Sequence, residues 1–237
     1  QEEEIGNYIQ ADWRQPHSPW LFKDMAKAVQ ILRENREKLV AISSDFDCDG
    51  IFSAIILKKG LEKVGIRSEI YTPDRVAEGY GVNRRIVDEA TEAGAEILLT
   101  CDNGIAANEE IRYAKEKGMT VIVTDHHEVQ EELPPADAVV DHKQEECGYP
   151  FKGLCGAGVA FQLIGALYEK EAISPDERED LLEYAAIATV ADVMELKGEN
   201  RGLVKSGLRA LEHTKNTGLR ALLEVQELSG KELEAYH

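Results

Sequence analysis

Three short segments hold most of the side chains able to do chemistry. Asp45-Phe46-Asp47-Cys48-Asp49-Gly50 places carboxylates on alternate positions, Asp102-Asn103-Gly104 adds another, and Asp125-His126-His127 adds one more beside two imidazoles. Brought together, carboxylates and imidazoles suit hard-to-borderline divalent cations such as Mn2+ or Mg2+. Without a cation the same carboxylates repel one another and resist ionisation, so a bound ion is the simplest reason to collect them.

Such a set works only if the fold gathers it. From Lys38 onward, short apolar runs alternate with amphipathic stretches. Leu39-Val40-Ala41-Ile42, Glu69-Ile70-Tyr71, Glu96-Ile97-Leu98-Leu99, Thr120-Val121-Ile122-Val123 and Ala138-Val139-Val140 read as strands. Ile51 to Val64, Asn83 to Ala93 and Asn108 to Lys117 read as the helices between them. Apolar strands spaced by helices predict an α/β fold, a five-stranded, mainly parallel sheet flanked by helices on both faces. Ligands of an open parallel sheet bind outside the carboxyl ends of its strands. The three segments follow the first, third and fourth of these strands. After Pro150 the strands stop, and Gly158 to Glu169, Pro175 to Thr189, Asn200 to Glu212 and Leu219 to Leu228 read as a helical region. The expected organisation is a helical lead-in over residues 1–36, with a helix at Leu21 to Glu34, then a catalytic core over 37–196. Helices over 197–237 are expected to lead to a second domain outside the sequence.

Composition narrows the class. The 237 residues are 43% hydrophobic and 30% charged, ordinary for a chain that buries a core. Lys plus Arg number 27 against 45 Asp plus Glu, and the net charge of −18 excludes a protein that coats DNA through phosphate neutralisation. A nucleic-acid enzyme stays open, because metal-loaded carboxylates become cationic sites. Cys48, Cys101, Cys147 and Cys155 form no CxxC pair, which argues against zinc and for free thiols in a reduced, cytoplasmic setting. Apolar stretches such as Ile51 to Leu57 fall far short of the roughly 20 residues a membrane span needs. The acidic start Gln1-Glu2-Glu3-Glu4 resembles no secretory signal, so no membrane partner is expected.

Taken singly, each segment has another explanation. Asp-x-Asp-x-Asp-Gly also opens a calcium-binding EF-hand loop, but loop position 12 counted from Asp45 is Ile56 rather than Glu, and a strand precedes it. Asp47-Cys48-Asp49-Gly50 resembles the opening of haloacid-dehalogenase phosphatases, which favour Thr or Val where Ile51 stands. Asn103-Gly104 is a strong turn former by itself. Three such segments at the strand ends of one sheet are hard to ascribe to accident.

In order and spacing, these segments and the later Val190-Ala191-Asp192 resemble the four motifs of the DHH phosphoesterase superfamily, over residues 38–196. Pro73-Asp74-Arg75, Glu78-Gly79-Tyr80-Gly81, Tyr149-Pro150-Phe151 and Gly156-Ala157-Gly158-Val159-Ala160-Phe161 further resemble its RecJ-like branch. That branch comprises exonucleases that degrade single-stranded DNA from the 5′ end in repair and recombination. Ser43 stands where superfamily hydrolases of pyrophosphate, short oligonucleotides or cyclic dinucleotides usually carry a His, and Asp45 is present as in RecJ-like members. Asp141-His142 departs from that branch, which often has Asn-Pro there. A hydrolase of short oligonucleotides or cyclic dinucleotides is the alternative. A non-catalytic binding module sits badly with a complete motif set.

The resemblance implies phosphodiester hydrolysis with two divalent ions, Mn2+ or Mg2+, which activate water and neutralise phosphoryl oxygens. By that resemblance Asp102 would bridge the ions. Asp47, with Asp45, would complete one position, and Asp49, His126 and Asp192 the other. His127 would face the substrate and donate a hydrogen bond to a phosphate oxygen. Asp125 would orient a His or cap a turn. Arg75 offers a planar, bidentate phosphate clamp or is a solvated surface charge. Tyr80 would stack a base or ribose or anchor its own loop. The amides of Gly156-Ala157-Gly158 would face a phosphate, or the glycines allow close helix packing.

Overall fold

A computed structural model describes residues 12–14 and 17–236. A 3-10 turn at Pro19–Leu21 leads into α1 (Met25–Glu34), β1 (Leu39–Ser44), α2 (Cys48–Lys63), β2 (Ser68–Tyr71) and α3 (Arg84–Glu92). Then come β3 (Ala95–Cys101), α4 (Asn108–Glu116), β4 (Thr120–Thr124) and β5 (Ala138–Val140). The helical half follows: α5 (Gly156–Lys170), a 3-10 turn at Pro175–Arg178, α6 (Glu179–Ala191), α7 (Gly198–Leu211) and α8 (Thr217–Val225).

All five strands pair in parallel, in the order β2-β1-β3-β4-β5. Successive side chains along a strand point to opposite faces and so enter two separate cores. Val40, Ile42, Ile97, Leu99, Ile122 and Val140 face the core shared with α1, α2, α5, α6 and α7. Ala41, Leu98, Val121, Val123 and Val139 face the one under α3 and α4. β2 differs from the buried strand its sequence suggests: it lies at the sheet edge, with Glu69 and Ile70 exposed. The chain leaves β1 for one edge and returns to build β3, β4 and β5 on the other side. Strand order therefore reverses between β1 and β3, the place where open α/β sheets bind ligands.

Helix starts differ from the periodicity where a cap decides them. Asp47 accepts the Gly50 amide at 2.9 Å, so α2 begins at Cys48 rather than Ile51. The stretch read as one helix from Pro175 is a 3-10 turn, capped by Ser174, that runs into α6. The helix read from Leu21 starts at Met25, and residues 1–11, 15 and 16 of the lead-in lie outside the described ones. Among the described residues no helix is long and apolar enough to cross a membrane, and the four cysteines are free thiols.

Candidate metal centre

The loops leaving β1, β3 and β4 converge on one point. The first turn of α2 directs Asp49 inward, where it is 2% exposed; its two oxygens accept the amides of Gly156 (2.6 Å) and Ala157 (2.8 Å) at the start of α5. β3 runs into Asp102, held at φ 61, a left-handed backbone that Asp tolerates better than most residues. Gly156 packs so closely here that a Cβ would stand 2.7 Å from the Cβ of Asp102. β4 delivers Asp125, His126 and His127, and Asp192 arrives from the C-cap of α6.

His126 is the hub. Its Nε2 lies 3.0 Å from Asp102 Oδ1, 3.5 Å from Asp49 Oδ2 and 3.8 Å from Asp192 Oδ2. Asp49, His126 and Asp192 form one group, and Asp102, His126 and His127 another, each with ligand-type atoms within 4.8 Å of one another. Neither ring nitrogen of His126 nor Oδ1 of Asp102 makes a hydrogen bond, although all three atoms are buried. Buried polar atoms are nearly always satisfied. Unsatisfied carboxylate and imidazole atoms converging on one spot fit a divalent cation in donor type and spacing. The structure thus brings Asp49, Asp102, His126 and Asp192 together. Asp45 and Asp47 fall outside both groups: Asp45 accepts the Phe46 amide at 2.7 Å and Asp47 is engaged as the α2 cap. The charge of Asp47 still reaches Asp102 and Asp192.

Electrostatics record the crowding. Burial, followed by the charges of Asp49, Asp47, Asp125 and Asp192, pushes Asp102 up to about 11. Burial with Asp49 and Asp47 pushes Asp192 up to about 6. Burial, aided by Asp47, raises Asp45, and burial lowers His126. A carboxyl held protonated in this way, as Asp102 is, gives up its proton where a cation binds.

Asp125 organises the last segment. Burial works to raise its carboxyl, but the His127 ring (Nδ1, 2.7 Å) and the amides of Ile105 (2.9 Å) and His126 (2.7 Å) hold it below the usual range. The same bond raises His127 against its own burial. Asp125 thus bonds both an imidazole and the amides of the loop around it. The imidazole is that of His127, whose side chain is 58% exposed and lines an open cleft of about 400 Å3 over the site.

Tyr80 lines this cleft, and Tyr80 and Arg75 both lie against Phe46. The Tyr80 and Phe46 ring centroids are 4.9 Å apart, and the Arg75 guanidinium is 5.1 Å from the Phe46 ring. Other residues brace their loop: Asp74 accepts the Val76 and Ala77 amides at 2.8 Å, and Arg85 pairs with Glu78. Arg75 and Tyr80 stay exposed.

Sequence patterns missed several parts. Asn103, readable only as a turn former, donates to Ser43 O (3.1 Å) and Cys101 O (2.9 Å) and accepts the Val82 amide (3.2 Å), tying the ends of β1 and β3 to the loop before α3. The Gly156 and Ala157 amides turn to Asp49, and Gly156 itself packs tightly against Asp102. Asp141 and His142 are buried, and His142 Nε2 donates to Leu154 O at 3.1 Å as an internal brace.

Known proteins resemble this chain in sequence and in fold. The family model described as DHH family, N-terminal domain, matches residues 39–189. The chain is 40% identical over 211 residues to the single-stranded-DNA-specific exonuclease RecJ of Bacillus subtilis (strain 168), covering 88% of this chain and 26% of that protein. It is 38% identical over 217 residues to RecJ of Thermus thermophilus, covering 90% and 31%. The solved structure of exonuclease RecJ bound to manganese matches with a TM-score of 0.81 at 36% identity, over 90% of this chain and 55% of that one. The solved structure of Thermus thermophilus RecJ in complex with Mn2+ matches with a TM-score of 0.78 at 33% identity, over 95% and 33%. The chain spans about a quarter to two-fifths of the length of the curated RecJ relatives. The matched stretch runs from β1 into α6 and includes the three strand ends that carry the carboxylates and histidines; the chain belongs to the DHH family.

Proposed function

We propose that this chain carries the catalytic core of a metal-dependent exonuclease that degrades single-stranded DNA from its 5′ end, in cytoplasmic DNA repair and recombination. The observation that carries this reading is the convergence of Asp49, Asp102, His126 and Asp192 where the strand order reverses. Relatives described as single-stranded-DNA-specific exonucleases, and solved relatives in complex with Mn2+ or Mg2+, support it.

Two divalent ions, Mn2+ or Mg2+, belong at this centre. Asp49, Asp102, His126 and Asp192 would hold one, and Asp47, with Asp45, would help Asp102 to hold a second. When bound, the ions supply a nucleophilic water at neutral pH and neutralise charge on the phosphoryl oxygens. The chain's own residues do the rest. Asp125 engages His127 at Nδ1, which leaves Nε2 of that ring as the donor to a phosphate oxygen. The raised pKa of His127 keeps that donor protonated further towards neutral pH. Arg75 adds a permanent bidentate charge near Phe46, and Tyr80 offers a flat face to a base or ribose. Residues 37–196 form the catalytic core, flanked by 1–36 and 197–237.

The test compares a long 5′-phosphorylated single strand, its duplex, a dinucleotide and a cyclic dinucleotide, each with Mn2+. Nucleotides should be released from the single strand, starting at its 5′ end, and release should stop with a chelator. Hydrolysis confined to the dinucleotides would replace this reading with the small-substrate alternative.

A further inference from the structure

Asn200 lies in the first turn of α7, outside the motif segments that carry the candidate site, and is wholly buried. Its Nδ2 donates to Gly153 O at 2.6 Å and to Glu195 O at 3.1 Å. The two acceptors belong to the segments that carry opposite sides of the candidate metal position. Gly153 comes just before Gly156, whose amide, with that of Ala157, holds both oxygens of Asp49. Glu195 comes just after Asp192. One amide group therefore pins the cradle of Asp49 and the turn of Asp192 to each other.

The Asp192 turn needs a pin. Val193 sits at φ 56 and is 87% exposed. A β-branched residue in the left-handed region is strained, and this one buries little side chain to offset it. The turn's bonds from Val193 N to Val190 O (3.1 Å) and from Met194 N to Thr189 O (3.2 Å) attach it to α6 alone. The bond from Asn200 attaches it to the loop that leads into α5. Oδ1 of Asn200 is buried without a hydrogen bond, so the polar contribution of this side chain comes from Nδ2.

We propose that Asn200 is a positioning residue for the metal centre: by joining Gly153 to Glu195 it holds Asp49 and Asp192 at the separation where one divalent ion fits. The inference rests on the metal reading of the site.

The test is Mn2+ titration of the 237-residue chain, followed by the electron paramagnetic resonance signal of free Mn2+. Asn200→Ala, Asn200→Ser, Asp192→Asn and the double variants are titrated beside it, with circular dichroism to report folding. Asn200→Ala should weaken Mn2+ uptake about 10–100-fold, as loss of a ligand-orienting group does. Asn200→Ser, which keeps one donor, should weaken it less. In the Asp192→Asn background the same substitutions should have a clearly smaller effect, because one of the two ligands they act through is gone. Unchanged affinity in folded Asn200 variants, or the same fold-change in both backgrounds, would overturn the proposal. So would failure of both Asn200 variants to fold, which would make Asn200 a residue of the fold alone. If the parent chain takes up no Mn2+, the metal reading falls and this inference with it; uptake by the parent separates the two failures.

Discussion

His126 Nε2 and Asp102 Oδ1 lie 3.0 Å apart, both buried and neither hydrogen-bonded. Without a cation this is a destabilising arrangement, and increasingly so as pH rises. Below about 4, Asp102 is protonated in both the folded and unfolded chain. As pH rises, the unfolded chain ionises while the folded one, pushed up to about 11, does not, so metal-free stability falls across that whole window. Asp192, pushed up to about 6, contributes in the same direction over a narrower window.

Asp102→Asn should therefore raise the metal-free melting temperature at neutral pH by several degrees, since about 1 kcal/mol corresponds to roughly 2–4 °C in a chain of this size. The same variant should lose the stabilisation that Mn2+ gives the parent, and with it hydrolysis. Calorimetry with chelator and with Mn2+ checks both halves. A lower metal-free melting temperature would show that Asp102 serves the fold rather than the ion.

Proton release provides a second check. Because Asp102 and Asp192 hold protons that a cation displaces, Mn2+ affinity should weaken steadily as pH falls from about 8 to 5. Isothermal titration in buffers of different ionisation enthalpy should count at least one proton released near neutrality. A pH-independent affinity would contradict the raised values of both carboxyls.

Much of this centre is legible in the sequence for a simple reason. Parallel strands buried on both faces read as apolar runs, and their C-terminal ends are where the fold must place a ligand, so Asp49, Asp102 and His126 announce themselves. Asp192 has no such strand before it, and only the family resemblance singles it out. What stays hidden is held by long-range backbone contacts. The amides that cradle Asp49 lie over 100 residues away at Gly156 and Ala157, and an amide carries no side-chain signature. Asn103 and Asn200 are equally silent, because an Asn bonding to remote carbonyls looks like one at any turn or helix start. The edge position of β2 was illegible too, since a four-residue strand shows no pattern that separates edge from centre.

Gly156→Ala tests the close packing at the centre. The new Cβ would meet Asp102 Cβ at 2.7 Å and Oδ1 at 2.9 Å. Overpacking of this kind costs ~1–3 kcal/mol, and the methyl pushes against Asp102 rather than against free space. Mn2+ affinity should fall more than thermal stability does. Affinity at the parent level would mean that the α5 start can retreat without moving Asp102.

Asp125→Asn separates orientation from ligation. The variant loses the charge that raises His127, so the imidazole pKa should drop toward its ordinary value. Nucleotide release should fall about 10–100-fold, with its pH optimum shifted down. Mn2+ affinity should fall less than in His126→Ala. Equal loss of Mn2+ in the two variants would place Asp125 among the ligands.

Arg75 and Tyr80 test how a chain of net charge −18 grips a polyanion. Overall charge repels a single strand, so on the proposed reading any grip would come from the ions and from local contacts near Phe46. Arg75 is the exposed cation set against Phe46 beside Tyr80. Arg75→Ala should weaken single-strand affinity and reduce the slope of log affinity against log salt by about one, as loss of a single phosphate contact does. Tyr80→Ala should cost ~1–3 kcal/mol of affinity with little change in that slope, because stacking carries no charge. Tyr80→Phe should stay near the parent, since its ring keeps both the stacking face and the contact with Phe46. Fluorescence anisotropy with a short labelled strand, at several salt concentrations and with a non-hydrolysing Asp102→Asn chain as a metal-free control, distinguishes the two residues. If Tyr80→Phe binds as poorly as Tyr80→Ala, the hydroxyl makes the contact and the stacking role is wrong; if Arg75→Ala leaves the slope unchanged, its guanidinium meets no phosphate.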